Sequence, residues 1–352
     1  MKIIPMSVKE VKKLEIVQAI LGGRFTQQEA AKRLDVTDRC IRYWLESYKH
    51  GGASGLVHGN RGQVSPRKVS QQERNEIVDL LSKHYYDFTP AMASEKLFEV
   101  HGINRHRTTI RTMMVEEEMW IPRLKRKGGK VVVHRQWRER KHHRGELVQF
   151  DGSYHRWFEE RLLGEDGLPL EVCLLASVDD ATGEILWAQF VKDEGTLPVM
   201  GFWTQYAGFH GLPKAVYLDR FSTYKMTQKV AQENPDLKTQ LQRAFATLGV
   251  ELIFALSPQA KGRVERLFKT LQDRLVKELR LRNISSLQEA NVFLEKTFIS
   301  QFKKKYSIEP KQKADFHRSL SQRELRELPQ TLCRMNKRRV MNDFTVSYKN
   351  QW

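Results

Sequence analysis

Three carboxylates stand where predicted elements begin or end. Asp151 closes the apolar run 147–150, Asp219 closes the run 215–218, and Glu265 falls in the first turns of a long helix that follows Ser257-Pro258-Gln259-Ala260-Lys261-Gly262. Asp and Glu offer oxygen donors suited to a hard cation such as Mg²⁺. Two such ions about 3.5 to 4 Å apart need several bridging carboxylate oxygens, and the pair can activate one oxygen and stabilise the leaving oxygen of an in-line phosphoryl displacement. That chemistry needs no protein nucleophile, so the lack of a Ser, Cys or Tyr constellation is consistent with it. Taken singly, each acid also has a plainer reading: an Asp at a strand end often shapes a turn, and a Glu early in a helix complements its dipole.

The elements around these acids read as three strands, helix, strand, helix, strand, helix. Runs 170–178 and 184–191 flank Asp179-Asp180-Ala181-Thr182-Gly183, which is hairpin chemistry in which Asp179 and Asp180 read as structural. A helix over 195–211 precedes the strand that ends at Asp219, and a helix over 237–248 and a strand over 250–255 precede the Ser257 loop. In the last helix Val264, Phe268, Leu271, Leu275 and Leu279 share one apolar face, while Glu265, Lys269 and Gln272 line another. Three acids from distant sequence could thus converge.

The N-terminal third is helical. Residues 7–48 read as three helices, the second opened by the T-Q-Q-E capping box at Thr26 and the third capped by Thr37. In the third, Ile41, Trp44, Leu45 and Tyr48 form an apolar stripe that leaves Arg39, Arg42 and Tyr43 outward, the pattern of a helix-turn-helix with a basic reading helix. Glycines 51, 52, 55 and 59 break the chain, and Arg61 to Pro66 reads as a linker. A second trihelical unit follows: a Ser70/Glu73 box, a helix that Pro90 opens and Gly102 ends, and a third helix from Arg107 to Trp120 that carries Arg107 and Arg111. Either unit alone could be a packing bundle; two in tandem on a basic chain point to nucleic acid.

The charge agrees. The 352 residues carry 60 Lys and Arg against 42 Asp and Glu, a net charge of +18. It is segregated: 16 acids face 13 bases in 147–270, whereas the balance is 5 against 13 in 101–146 and 9 against 18 in 271–352. Between 123 and 144 lie ten basic residues, including Arg123, Lys125, Arg126, Lys127, Lys130, Arg135 and Arg138, with Glu139 as the one acid. So few apolar residues cannot bury a core, and the run reads as a strap that orders on phosphates. His142 and His143 lie within it without a third metal ligand at a recognisable spacing. Three dispersed cysteines exclude a disulfide framework and a zinc finger, and no run reaches the length of a membrane span.

Gln149-Phe150-Asp151-Gly152, Tyr217-Leu218-Asp219-Arg220-Phe221-Ser222 and Ser257 to Arg266 resemble the acid-bearing segments of the DDE transposases and retroviral integrases, most of all bacterial insertion-sequence transposases of the ISNCY kind. The resemblance runs from about Thr26 to Tyr348 and is strongest over Pro258 to Leu271. It implies an α/β RNase H-like (integrase) catalytic core behind tandem all-α helix-turn-helix units, with Asp151, Asp219 and Glu265 as the catalytic, metal-holding triad. It further implies two Mg²⁺ ions, replaceable by Mn²⁺, and cleavage of transposon ends with joining of the freed 3′-hydroxyl to target DNA. Lys261, Arg263 and Lys269 would touch DNA near the cut, and the helix-turn-helix units would read the terminal inverted repeats. The partner is double-stranded DNA, with a homo-oligomer on synapsed ends and a bacterial cytoplasmic, nucleoid-associated location. The sequence departs from the pattern, and nothing in it matches the His/His/Cys/Cys zinc module of retroviral integrases. There are 45 residues between Asp219 and Glu265, longer than the compact integrase interval, and Arg220-Phe221 stands where Asn-Gly is frequent. The same basic flanks would also serve a DNA-binding regulator with an inactive core.

The expected division is 1–60 and 67–121 as DNA-binding units, 122–146 as basic linker, 147–302 as core and 303–352 as a basic C-terminal segment. In that segment Leu287 to Phe302 reads as a helix leading to Lys303-Lys304-Lys305, and Leu320 to Leu328 as a short charged helix. Val340 to Tyr348 alternates like a strand, a short β segment with too little chain after it to close a barrel.

Overall fold

The computed structural model describes residues 4–61, 68–122, 139–218, 239–254, 262–335, 338–342 and 344–346. The chain divides into two compact units, residues 1–121 and 122–352.

In the first unit, helices α1 (Val8–Leu21), α2 (Gln27–Leu34) and α3 (Asp38–Gly51) enclose Val17, Ala30, Ala31, Ile41, Leu45 and Leu56. Helix α2 starts with the full capping box: Thr26 Oγ1 accepts from the Glu29 N–H at 3.2 Å, and the Glu29 carboxylate accepts from the Thr26 N–H at 2.8 Å. Thr37 stands at the N-cap of α3, but its hydroxyl lies 3.4 Å from Cys40 Sγ and makes no capping bond to the backbone. Arg61, expected to open a linker, is tied back instead. Its guanidinium pairs with Glu10 at 2.6 Å and donates to the Pro5 carbonyl at 2.7 Å.

Helices α4 (Gln71–His84), α5 (Pro90–His101) and α6 (Arg107–Glu116) form the second trihelical core around Ile77, Leu81, Phe88, Met92, Leu97 and Ile110. Only half of the expected Ser70 box is present. Ser70 Oγ accepts from the Glu73 N–H, but the Glu73 carboxylate takes two bonds from Arg105 at 2.6 and 2.5 Å. A bidentate ion pair is stronger than one bond to a cap amide and wins. Helix α6 stops at Glu116 rather than Trp120, because Glu116, Glu117 and Glu118 oppose the negative end of the helix dipole.

Among the described residues of the second unit, five strands form one sheet: β1 (Val148–His155), β2 (Val172–Asp179), β3 (Ile185–Val191), β4 (Ala215–Leu218) and β5 (Glu251–Phe254). Their order is β3-β2-β1-β4-β5. The first three pair antiparallel, with Asp151 opposite Ala176, and β4 joins β1 and β5 in parallel. This is the order and polarity of an RNase H-like core, and the fold class read from the sequence is the one observed. Every residue of β2 is buried because helices cover both faces of the sheet. On one face α7 (Thr196–His210) and α8 (Gln240–Leu248) pack Phe202, Trp203 and Phe245 against Val148, Phe150 and Val216. On the other, α9 (Gly262–Leu281) sets Val264, Phe268 and Leu271 beside Leu174 and Ala176.

The helix expected over 287–302 runs on to Tyr306 as α10 (Leu287–Phe293), a π-helical turn (Leu294–Phe298) and α11 (Ile299–Tyr306). On α10 the Asn291 amide both accepts from the Phe190 N–H at 2.7 Å and donates to the Phe190 carbonyl at 3.1 Å, on the outer edge of β3. Residues 307–321 then cross the core as a strap: the Ile308, Gln312 and Phe316 N–H groups donate to the carbonyls of Thr182, His142 and Arg144. Helix α12 (Gln322–Thr331) returns Leu328 to the α7 side of the core. The described residues 303–335 are therefore built into this unit rather than appended to it. The described residues of 340–348 form no strand. The Met341 N–H instead closes a tight turn on the Thr345 carbonyl at 2.9 Å, since an alternating segment without a paired neighbour has no ladder to join.

Candidate active site

Alternation along β1 sends Val148 and Phe150 to the α7 face and Gln149, Asp151 and Ser153 to the α9 face. Two contacts hold α9 along this strand. Gln149, fully buried, accepts the Val264 N–H at 3.3 Å, and Gln272 donates to Ser153 Oγ at 3.2 Å. Asp151, half-buried, lies midway between those contacts. Glu265 follows Val264 directly and shares its helical stripe with Lys269 and Gln272, so the line of residues that ends on Ser153 begins at Glu265. Glu265 and Lys269 are both exposed. The parallel pairing Val148↔Val216 and Gln149↔Tyr217 brings the carboxyl end of β4 alongside β1 just ahead of Asp151. Asp219, the residue after Leu218, lies outside the described residues, as does Lys261.

Two further acids crowd this end of β1. The Glu194 carboxylate packs on Gly152, where a Cβ would approach it to 2.7 Å, so a larger residue next to Asp151 would have to displace that carboxylate. Burial, the Glu194 charge and smaller contributions from Asp151 and Asp193 push the Cys173 thiol up to about 12. Three carboxylates, Asp151, Asp193 and Glu194, thus add to the burial that raises this thiol, and they make the region rich in oxygen donors. Among the described residues no group of three or more His, Cys, Asp or Glu side chains is spaced to hold a metal ion. Asp193 and Glu194 go unmarked in the sequence because Lys192 separates them from the apolar run that ends at Val191.

The other candidates divide. Arg39, Arg42 and Tyr43 are exposed on α3, and Arg107 and Arg111 are exposed on α6. Arg123, Lys125, Arg126, Lys127, Lys130, Arg135 and Arg138 lie outside the described residues. Arg263, expected on DNA, points inward: its guanidinium meets the buried Asp180 carboxylate at 2.8 Å, because a cation at the start of a helix is better served by a carboxylate than by the helix dipole. The described end of the basic run is also folded in, with Arg144 paired to Glu184 and Asp315. His143 stacks on Phe316 at 4.2 Å.

A helix-turn-helix domain family matches residues 12–63. Across 351 residues the chain is 35% identical to "Putative transposase y4bF" of Sinorhizobium fredii, covering 100% of this chain and 74% of that protein. It is 31% identical over 336 residues to the transposase for insertion sequence IS1202 of Streptococcus pneumoniae, covering 86% of this chain and 70% of that one. Among solved structures, the catalytic core domain of HTLV-2 integrase in complex with magnesium aligns with 43% of this chain and 82% of its own, at 16% identity and a TM-score of 0.32. With a helix-turn-helix at its start, a five-stranded mixed sheet behind it and likeness to transposases along its whole length, the chain belongs to the insertion-sequence transposases.

Proposed function

We propose that this transposase binds the terminal inverted repeats of its element and catalyses Mg²⁺-dependent strand cleavage, followed by joining of the freed 3′-hydroxyl to target DNA. The observation that carries this reading is the seating of α9 on β1, where the Gln149–Val264 and Ser153–Gln272 contacts bracket Asp151 on the helix that bears Glu265. Asp151, Asp219 and Glu265 would hold the cations. The residues fit such ions: the donors are carboxylates, and Asp151 and Glu265 reach solvent. A bound ion pair would activate the attacking oxygen and stabilise the leaving one.

The chain's own residues have separate tasks in this reading. Lys269, one turn beyond Glu265 on the same stripe, offers its ammonium to a DNA phosphate beside the acids. Arg39, Arg42 and Tyr43 on α3, and Arg107 and Arg111 on α6, present donors to the repeat sequence. The basic run from Arg123 to Arg138 tracks the backbone between those readers and the core. Two copies of the chain would bring two ends together.

The experiment is Mg²⁺-dependent nicking of a duplex that carries the element's terminal repeat, with Asp151→Asn and Glu265→Gln beside the wild type. Loss of nicking in both variants with DNA binding retained supports the reading. Equal nicking by all three removes Asp151 and Glu265 from the chemistry, and no nicking by the wild type with Mg²⁺ or Mn²⁺ points to a DNA-binding regulator instead.

A further inference from the structure

Asp180 is buried at 0% exposure in the turn between β2 and β3, yet the turn does not need its side chain. Asp179 already shapes it, accepting from the Thr182 N–H at 2.8 Å and the Thr182 hydroxyl at 3.0 Å. The Asp180 carboxylate instead gathers donors from three segments. It accepts from the Lys141 N–H at 2.9 Å, the Gln149 amide at 2.8 Å and the Arg263 guanidinium at 2.8 Å. A charge taken this far from water persists only where it is paired and hydrogen-bonded, and these donors meet that condition.

The partners share one destination. Arg263 is the second residue of α9, and Gln149, while donating to Asp180, uses its amide oxygen to accept the Val264 N–H, an amide that the helix itself leaves unpaired. Asp180 thus grips the first turn of α9 twice, directly through Arg263 and indirectly through Gln149. A cation so early in a helix is unfavourable by itself. Asp180 behind it restores negative charge at that end and fixes the rotation of the helix about its axis. Glu265 is the next residue after Val264, so this rotation decides whether its carboxylate turns toward Asp151.

We infer that Asp180 is a positioning residue for the metal site, acting through Arg263 and Gln149 to hold the first turn of α9 so that Glu265 faces Asp151. The inference rests on the reading that Asp151 and Glu265 share the cations. It distinguishes Asp180 from its neighbour: Asp179 serves the hairpin, Asp180 the helix.

The test uses the full-length protein as wild type, Asp180→Asn, Arg263→Lys and Asp151→Asn. Asn keeps the shape and an accepting oxygen but loses the charge that holds Arg263; Lys keeps the charge but loses the fork. Two readouts are needed besides nicking: amide hydrogen exchange over residues 262–268 without metal, and Mn²⁺ binding followed by the electron-paramagnetic signal of the free ion. Asp180→Asn should speed exchange in that turn while leaving α3 and α7 unchanged, and weaken Mn²⁺ binding about tenfold, the scale seen when a group that orients a metal ligand is removed. Arg263→Lys should fall between it and the wild type. Wild-type Mn²⁺ affinity in both variants, with or without faster exchange, overturns the positioning role, as does faster exchange spread evenly through the sheet. Should Asp180→Asn fail to fold, Arg263→Lys decides by the same two readouts. Asp151→Asn separates the two claims: if it binds Mn²⁺ like the wild type, the metal-site reading fails, and if it alone loses Mn²⁺, only the role of Asp180 does.

Discussion

The Tyr206 hydroxyl lies 2.6 Å from His317 Nε2, and the other ring nitrogen of His317 lies 2.6 Å from Asp315, so one buried imidazole joins α7 to the strap that crosses the core. Arg144 extends the network to Glu184, Asp315 and His210. Burial, with a smaller push from the Arg144 charge, lowers the proton affinity of both His210 and His317. The unfolded chain takes up these protons below the ordinary histidine value of 6.5, whereas the folded one resists, so the unfolded state binds more protons as pH falls below that point. Stability is therefore expected to be full above pH 6.5 and to decline as pH drops through it. Thermal melting between pH 7.5 and 5 checks this, and a melting temperature flat over that range would contradict it.

The first unit has a different acid sensitivity. Glu10 accepts from the backbone and hydroxyl of Ser7 and from the His58 N–H, with Arg61 beside it, and its carboxyl is held at about 2 against the ordinary 4.5. A depressed carboxyl stabilises the fold above its unfolded value and loses that contribution as pH falls through the folded one. Local opening of α1, read by amide exchange, is expected to rise between pH 4.5 and 2 in the wild type and to be nearly independent of pH over that range in Glu10→Gln.

At the candidate active site, Asp151→Asn and Glu265→Gln should each lower the nicking rate by about 10³-fold, the kinetic equivalent of the several kcal/mol that metal charge supplies to a phosphoryl transition state. Rates at saturating DNA check it. A change smaller than tenfold in either variant would remove that residue from the chemistry.

For DNA recognition, Arg39→Ala or Arg42→Ala should cost about 1–3 kcal/mol against the cognate repeat and little against unrelated duplex. Replacing Arg123, Lys125, Arg126 and Lys127 by Ala should instead weaken all duplexes alike and flatten the salt dependence by about 0.9 in log–log slope per lost phosphate contact. Gel shifts across salt and competitor sequences separate the two, and the same specificity loss from both sets would refute the division of labour.

The α7 face of the core supplies a stability test. Trp203 is buried, with its ring 4.9 to 5.5 Å from those of Phe150, Phe202, Tyr206 and Phe245. Trp203→Ala should cost about 3–5 kcal/mol, because the surrounding aromatics cannot collapse into the cavity. Chemical denaturation would measure it.

Much of this architecture was legible because local signals dominate it. Apolar runs closed by Asp mark β1, β2 and β4, short apolar runs mark β3 and β5, and the stripe from Val264 to Leu279 marks α9. What escaped depends on partners far away in sequence. Arg263 reads as one more surface cation until Asp180, 83 positions earlier, is seen beneath it. Asp180 reads as a turn former because its neighbour is one. The strap at 307–321 has no periodicity, being held by backbone bonds to residues more than a hundred positions away. Val340 to Tyr348 has the alternation of a strand, but alternation alone supplies no neighbour to pair with.

The Asn291 amide on the rim of β3 bears on how copies of this transposase can assemble. An uncovered rim strand invites another chain to zip onto it, peptide group by peptide group, and so to fuse two sheets into one. At Phe190 both polar groups that such a zipper would use are already taken by one side chain. Fusion along that border is interrupted there, so a contact between copies at this rim would have to run through side chains rather than through a shared ladder.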